Sequence, residues 1–94
     1  MALTFEWDEN KSKQNFKKHG VTFVEAKTVF NDPFAITIKD PDHSDEEDRY
    51  LDIGLSFKGK MVVVWYTERN DSIRIIGCRK ATRFERKAYE KRKT

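Results

Sequence analysis

Arginine, glutamate and tyrosine, rather than histidine or cysteine, hold most of the chemical potential of this chain. His19 and His43 are the only histidines and Cys78 the only cysteine, and none stands at a metal-ligand spacing. His19 suits a helix C-terminus, where it complements the dipole. His43, within Asp40-Pro41-Asp42-His43-Ser44, suits a turn, and Cys78 reads as a small buried residue of a strand. No Gly-x-Ser-x-Gly elbow and no glycine-rich phosphate loop occurs, the four glycines being isolated. The last third is different. Glu68 closes an apolar strand, Arg74 and Arg79 lie on the next, and Lys80, Arg83, Arg86, Lys87 and Tyr89 follow on a helix or at its entry.

Guanidinium forks bind phosphate in pairs of hydrogen bonds and do not lose their proton, so an arginine cluster at a strand end suits a phosphodiester. Metal-free cleavage of RNA by its own 2′-OH needs a base at that hydroxyl, positive charge on the phosphorane and an acid at the leaving oxygen. Glu68 fits the base, Arg74 and Arg79 the clamps, and Tyr89 the acid or a stacking surface. Lys80, Arg83, Arg86 and Lys87 fit the flanking phosphates. Parity raises an objection, because residues five apart on a regular strand face opposite ways. A bulge near Gly77 or Cys78 would bring Arg79 to the side of Arg74, and isolated strand glycines mark bulges. A solvated face of Glu–Arg pairs accounts for the same residues, and both readings stand at this point.

The elements that would hold these groups follow from local patterns. Thr4 to Trp7 reads as a short strand. Asp8 caps a surface helix over Glu9 to Lys18 that Gly20 stops. Thr22-Phe23-Val24-Glu25 is a capping-box match opening a second helix, with Phe23, Ala26 and Phe30 as its apolar stripe and Val21 stapled to Ala26. Asn31-Asp32-Pro33 ends it. Phe34, Ile36 and Ile38 alternate, as do Leu51, Ile53, Leu55 and Phe57, which predicts strands with one buried face. Lys58-Gly59 is a hairpin turn, and Met61 to Tyr66 is apolar throughout, as in a central strand covered on both sides. Thr82-Arg83-Phe84-Glu85 opens a last helix expected to turn Phe84 and Ala88 inward. The prediction is one α+β domain over residues 1–94, mostly an antiparallel meander, with two N-terminal helices and one C-terminal helix covering one face.

Composition bounds the partners. The chain has 94 residues, 19 Lys plus Arg against 16 Asp plus Glu, and 13% aromatics, enough for one small core. No apolar run approaches a membrane span and the N-terminus lacks a leader pattern, so a cytoplasmic protein is expected. The net charge of +3 hides a segregation: −6 from Asp40 to Asp52 and +6 from Arg79 to Thr94. The acidic block reads as solvated surface and the basic one as a polyanion-facing surface.

A resemblance adds to these readings. At Phe5-Glu6-Trp7-Asp8, Lys11, Asn15, Lys18-His19-Gly20-Val21, Phe23-Val24-Glu25-Ala26 and Val29-Phe30-Asn31-Asp32-Pro33 the chain resembles the BrnT family of type II toxins. The match continues through Asp40 to Ser44, Glu47-Asp48-Arg49, Ile53-Gly54, Thr67-Glu68-Arg69, Ile73 to Ile76, Arg79 to Thr82, Glu85-Arg86 and Tyr89-Glu90. Two departures stand out: Gly77-Cys78 where the family usually has Ser-Ala, and Asp48 where it has Glu. The resemblance implies a RelE-like fold and ribonuclease activity that inhibits translation; from the residues themselves no cofactor is expected. The resemblance also implies a BrnA-like antitoxin with a DNA-binding domain, a toxin–antitoxin oligomer, and contact with operator DNA only through the antitoxin. On it, Glu68, Arg74, Arg79 and Tyr89 are the family-like active-site candidates. The competing expectation is a non-catalytic RNA-binding or antitoxin-complex module acting in operon autoregulation.

Overall fold

The structure, a computed structural model, describes residues 3–40 and 47–93. Its elements are β1 (Thr4–Glu6), α1 (Glu9–His19), α2 (Phe23–Lys27) followed by a 3-10 turn (Thr28–Asn31), β2 (Ile36–Lys39), β3 (Arg49–Leu55), β4 (Met61–Arg69), β5 (Ser72–Lys80) and α3 (Arg83–Lys93). His43 and the centre of the acidic segment lie outside the described residues.

Helix starts follow the predicted caps. The Asp8 carboxylate accepts from the Asn10 and Lys11 amides, and Gly20 closes α1 in the left-handed region at φ 73°. Thr22 accepts from the Glu25 amide, but the Glu25 carboxylate does not return the bond. It is buried and accepts from the Ser56 hydroxyl instead. At α3 the box is reciprocal: Glu85 N–H donates to Thr82 Oγ1, and Thr82 N–H donates to Glu85 Oε1.

The sheet has five strands in the order β1-β5-β4-β3-β2, antiparallel except where β1 lies parallel to β5. The strand β4, apolar from Met61 to Tyr66, is thus central, as its sequence requires. Alternation along it divides the core. Val62, Val64 and Tyr66 meet Val21 between α1 and α2, Phe23 and Ala26 of α2, and Val29 of the 3-10 turn on one face. On the other, Val63 meets Ile53 and Tyr89 of α3. The expectation that all helices cover one face is therefore corrected: a strand apolar on both sides needs cover on both, and α3 supplies the second. Two further corrections are local. β3 ends at Leu55, Phe57 is exposed in the hairpin, and the alternate residues Asp52, Gly54 and Ser56 are buried. Asp52, counted with the acidic surface block, accepts from the Thr37 and Tyr66 hydroxyls beneath the sheet. Burial raises its pKa and those two bonds only partly offset the rise. Gly54 lets the chain after α2 approach, since a Cβ there would meet Val29 at 3.0 Å and the Asp32 carboxylate at 3.1 Å.

Candidate nucleic-acid interface

Pairing between β4 and β5 settles the parity question. Tyr66 pairs with Ile75 and Trp65 with Gly77, so Ile76 is an extra residue in β5. Before it Arg74 pairs with Thr67, and after it Arg79 pairs with Val63. Both partners are odd-numbered residues of β4, so both arginines share the face that α3 covers. A regular strand would have set them on opposite sides. Gly77, directly after the bulge, is open enough that a Cβ would meet only Asn15 Oδ1 at 3.7 Å.

Arg79 is held by several neighbours at once. Its Nη1 donates to Glu85 Oε1 at 2.7 Å and its Nη2 to Glu85 Oε2 at 3.0 Å. Nη1 also donates to the Lys80 carbonyl, and the guanidinium lies 5.0 Å from the Trp65 ring centroid. Glu85 thus takes the end-on fork. The side-on fork, Nε–H and the second Nη2–H, has no partner among the described residues and is free to meet one phosphate. Hydrogen bonding from Arg79 holds the Glu85 carboxyl below its ordinary pKa, and Glu85 raises that of Arg79.

The other three candidates do not join Arg79 in one cleft. Arg74 lies on its face, but their β4 partners are four residues apart, roughly 13 Å along a strand, which is two phosphate contacts rather than one clamp. Arg74 Nη1 also sits 3.9 Å from Glu6 on β1. Glu68 pairs with Ile73, so alternation sets it on the opposite face, where its charge acts on Asp52 and Tyr66. A base on that side does not share a hydroxyl with the arginines. Tyr89 is 2% exposed, and its hydroxyl donates to Asp32 Oδ2 at 2.7 Å. Burial and that bond push its pKa up to about 12. The acid or stacking role expected of Tyr89 does not fit a core residue locking α3 to the chain after α2. Conversely, Phe84, expected inward, is 81% exposed.

The four basic residues expected to bind RNA do come together. Arg83, Arg86 and Lys87, with Ala81 and Glu90, line a recess of about 460 Å³ on the outer side of α3. A second recess of about 290 Å³ shares Ala81 and Arg86 with it and adds Lys60, Met61 and Lys80. The two form a groove where the β3–β4 hairpin meets the start of α3, tied by the Ala81 N–H bond to the Met61 carbonyl. Among the described residues the ion pairs engage Lys39, Lys58, Arg69, Arg74 and Arg79, and none of the five groove cations. Unpaired cations around a trough bind a phosphate chain without first breaking a bond.

Lys60 was missed because its signal is tertiary: only the β4–β5 register brings the hairpin beside α3. Arg49 was also passed over. It pairs with Thr67, in the same cross-strand row as Arg74, so β3 contributes a further cation to the α3 face. Alternation within β3 and the central position of β4 were the clue. From the sequence Glu85 stands out only as a cap.

Chemically inert groups are equally plain. Cys78 is buried, and burial raises its thiol pKa to about 12, far from a nucleophile. Among the described residues no group of three or more His, Cys, Asp or Glu is arranged to hold a metal, and no helix is long and apolar enough to cross a membrane.

Comparison with known proteins agrees with this architecture. The crystal structure of the Brucella abortus ribonuclease toxin BrnT matches with a TM-score of 0.63 and 21% identity, over 87% of this chain and 100% of that one. At that identity the likeness concerns the fold: five mostly antiparallel strands and three helices. No curated protein matches the chain. The family model described as "Ribonuclease toxin, BrnT, of type II toxin-antitoxin system" matches residues 7–85, most of the length. The chain belongs to the BrnT family of type II toxin–antitoxin ribonuclease toxins.

Proposed function

We propose that this protein is a metal-independent endoribonuclease that cleaves RNA through attack of a 2′-OH on the adjacent phosphate and thereby inhibits translation. The observation that carries the reading is the groove at α3 lined by five cations that form no ion pair among the described residues, next to Arg79, whose side-on fork has no partner among them. In this reading the groove cations Lys60, Lys80, Arg83, Arg86 and Lys87 neutralise successive phosphates. Arg79 donates two hydrogen bonds to the phosphate that reacts. Those bonds strengthen as charge grows on its non-bridging oxygens, which is the differential stabilisation catalysis needs. Arg74 and Arg49, further along the same face, take a neighbouring phosphate. A BrnA-like antitoxin covers this surface in a hetero-oligomer, and its DNA-binding domain carries the pair to operator DNA. The site of action is the cytoplasm.

A second reading has an observation of its own. Glu68 lies on the far face and Tyr89 in the core, so the expected base and acid do not meet the arginines. That dispersal favours a module that binds RNA or antitoxin without cutting. One experiment separates the two. Purified protein, free of antitoxin, is incubated with single-stranded RNA in the presence of a chelator. Products ending in a 2′,3′-cyclic phosphate support the nuclease. Salt-sensitive binding without cleavage supports the module, and cleavage only with added divalent metal overturns the metal-independent mechanism alone.

A further inference from the structure

Glu85 is a carboxylate beside a surface proposed to bind phosphate, where its charge should be a disadvantage. Its geometry accounts for its presence. It projects from the inward side of α3 and is anchored through the reciprocal box with Thr82. Both its oxygens take the end-on fork of Arg79, at 2.7 and 3.0 Å. The guanidinium is thereby pinned between Trp65 and the N-terminus of α3, with only the side-on pair left to donate. An arginine without this brace samples many rotamers and loses that freedom on binding; a braced one has lost it already.

We infer that Glu85 is a positioning residue of the RNA site, acting through Arg79 to present a pre-set, side-on bidentate donor to a single phosphate. The inference rests on the proposed RNA reading. It goes beyond it by naming which donors of Arg79 meet the phosphate and what holds them.

Sign makes this testable. As a cap or a surface charge alone, Glu85 repels RNA, so neutralising it should tighten binding. As the brace of Arg79, its loss should weaken binding. Glu85→Gln retains a side chain competent for the capping box but cannot give two charged acceptors to Arg79. The measurements are the affinity of the whole protein for a 2′-O-methyl oligonucleotide, which cannot be cut, and kcat and KM on the matching RNA. Glu85→Gln should weaken affinity about tenfold and lower kcat as well, while adding nothing in an Arg79→Ala background. Affinity equal to or tighter than the parent, or equal losses in both backgrounds, would overturn the inference. Should Glu85→Gln unfold, Arg79→Lys carries the test, since it leaves the box intact and keeps the charge but has no fork. An affinity loss of about tenfold supports the braced fork, and parent-level affinity refutes it. A parent protein that neither binds nor cuts RNA removes the functional reading itself, which these outcomes keep distinct.

Discussion

Replacing Arg79 with alanine removes a guanidinium while leaving the buried neighbours Ile75 and Cys78 in place. Loss of one transition-state donor lowers kcat about 10²- to 10³-fold, so RNA cleavage and growth arrest should fall accordingly. The circular dichroism spectrum should stay that of the folded parent; full toxicity in Arg79→Ala would take the residue out of the site. Tyr89 answers differently. Tyr89→Phe deletes the bond to Asp32 Oδ2 but keeps the ring among Ile53 and Val63. It should cost about 1 kcal/mol, read as a lower urea midpoint, with cleavage unchanged. Its phenol, ordinarily near 10, is pushed up to about 12 by burial and then by Asp32. A raised phenol favours the neutral folded state, so that part of the stability is intact below pH 10 and is lost as pH rises toward 12. Tyr89→Phe should flatten that alkaline loss. At this scale the sequence revealed which residue types are available and little about their direction. Phe84 and Tyr89 are five apart, hence about 140° apart around a helix, and only one can point inward. Tyr89 does, because its hydroxyl reaches Asp32 while Glu85 on the same side reaches Arg79.

Elements set the spacing of the site, and the bulge in β5 is the decisive one. Deleting Ile76 removes the extra residue and leaves a regular strand, in which Arg74 and Arg79 become four apart and stay on one face while Ile73, Ile75 and Cys78 stay together on the other. The deletion should therefore fold, with a thermal midpoint close to that of Ile76→Ala, and keep cleaving RNA; a folded but inactive deletion would show that the shared face alone does not make the site. The groove is a second element-level device, made by a hairpin and a helix start that are distant in sequence. Lys60→Ala should weaken RNA binding uniformly across sequences and reduce the salt slope of log affinity by about 1, measured by fluorescence anisotropy at several salt concentrations. An unchanged slope would assign Lys60 to solvent. That a bulge beside Gly77 would bring the two arginines to one face was legible from their spacing and the isolated glycine. Its position at Ile76 was not, because register belongs to two strands rather than one.

Across the whole molecule the carboxylates that matter to the site and its supports are held in their charged form. Arg79 lowers the pKa of Glu85, and Arg69 lowers that of Glu47. At Asp32 burial pushes upward, but bonds from the Leu55 and Phe34 amides and the Tyr89 hydroxyl together bring the pKa below 3.8. A carboxyl with a depressed folded pKa stabilises above its unfolded value, and that stability is lost as pH falls through the folded one. For Glu85 the window therefore lies below 4.5. Urea midpoints should fall steeply there, and Glu85→Gln should make the fall shallower.

Element types, their order, the caps and the central place of β4 were set by the sequence itself, because caps, glycine stops and apolar alternation are short-range and act before the chain is compact. The family was legible for the same reason, since its motifs run in order along nearly the whole chain. What only the tertiary structure decided is which side of each element meets which neighbour: α3 on the second face, Glu68 away from the arginines, Tyr89 buried, Lys60 in the groove. Those outcomes depend on register between strands and on the rotation of a helix against a sheet. Each is a choice between nearly equivalent local arrangements, and long-range contacts such as Tyr89 with Asp32 and Arg79 with Glu85 select one of them.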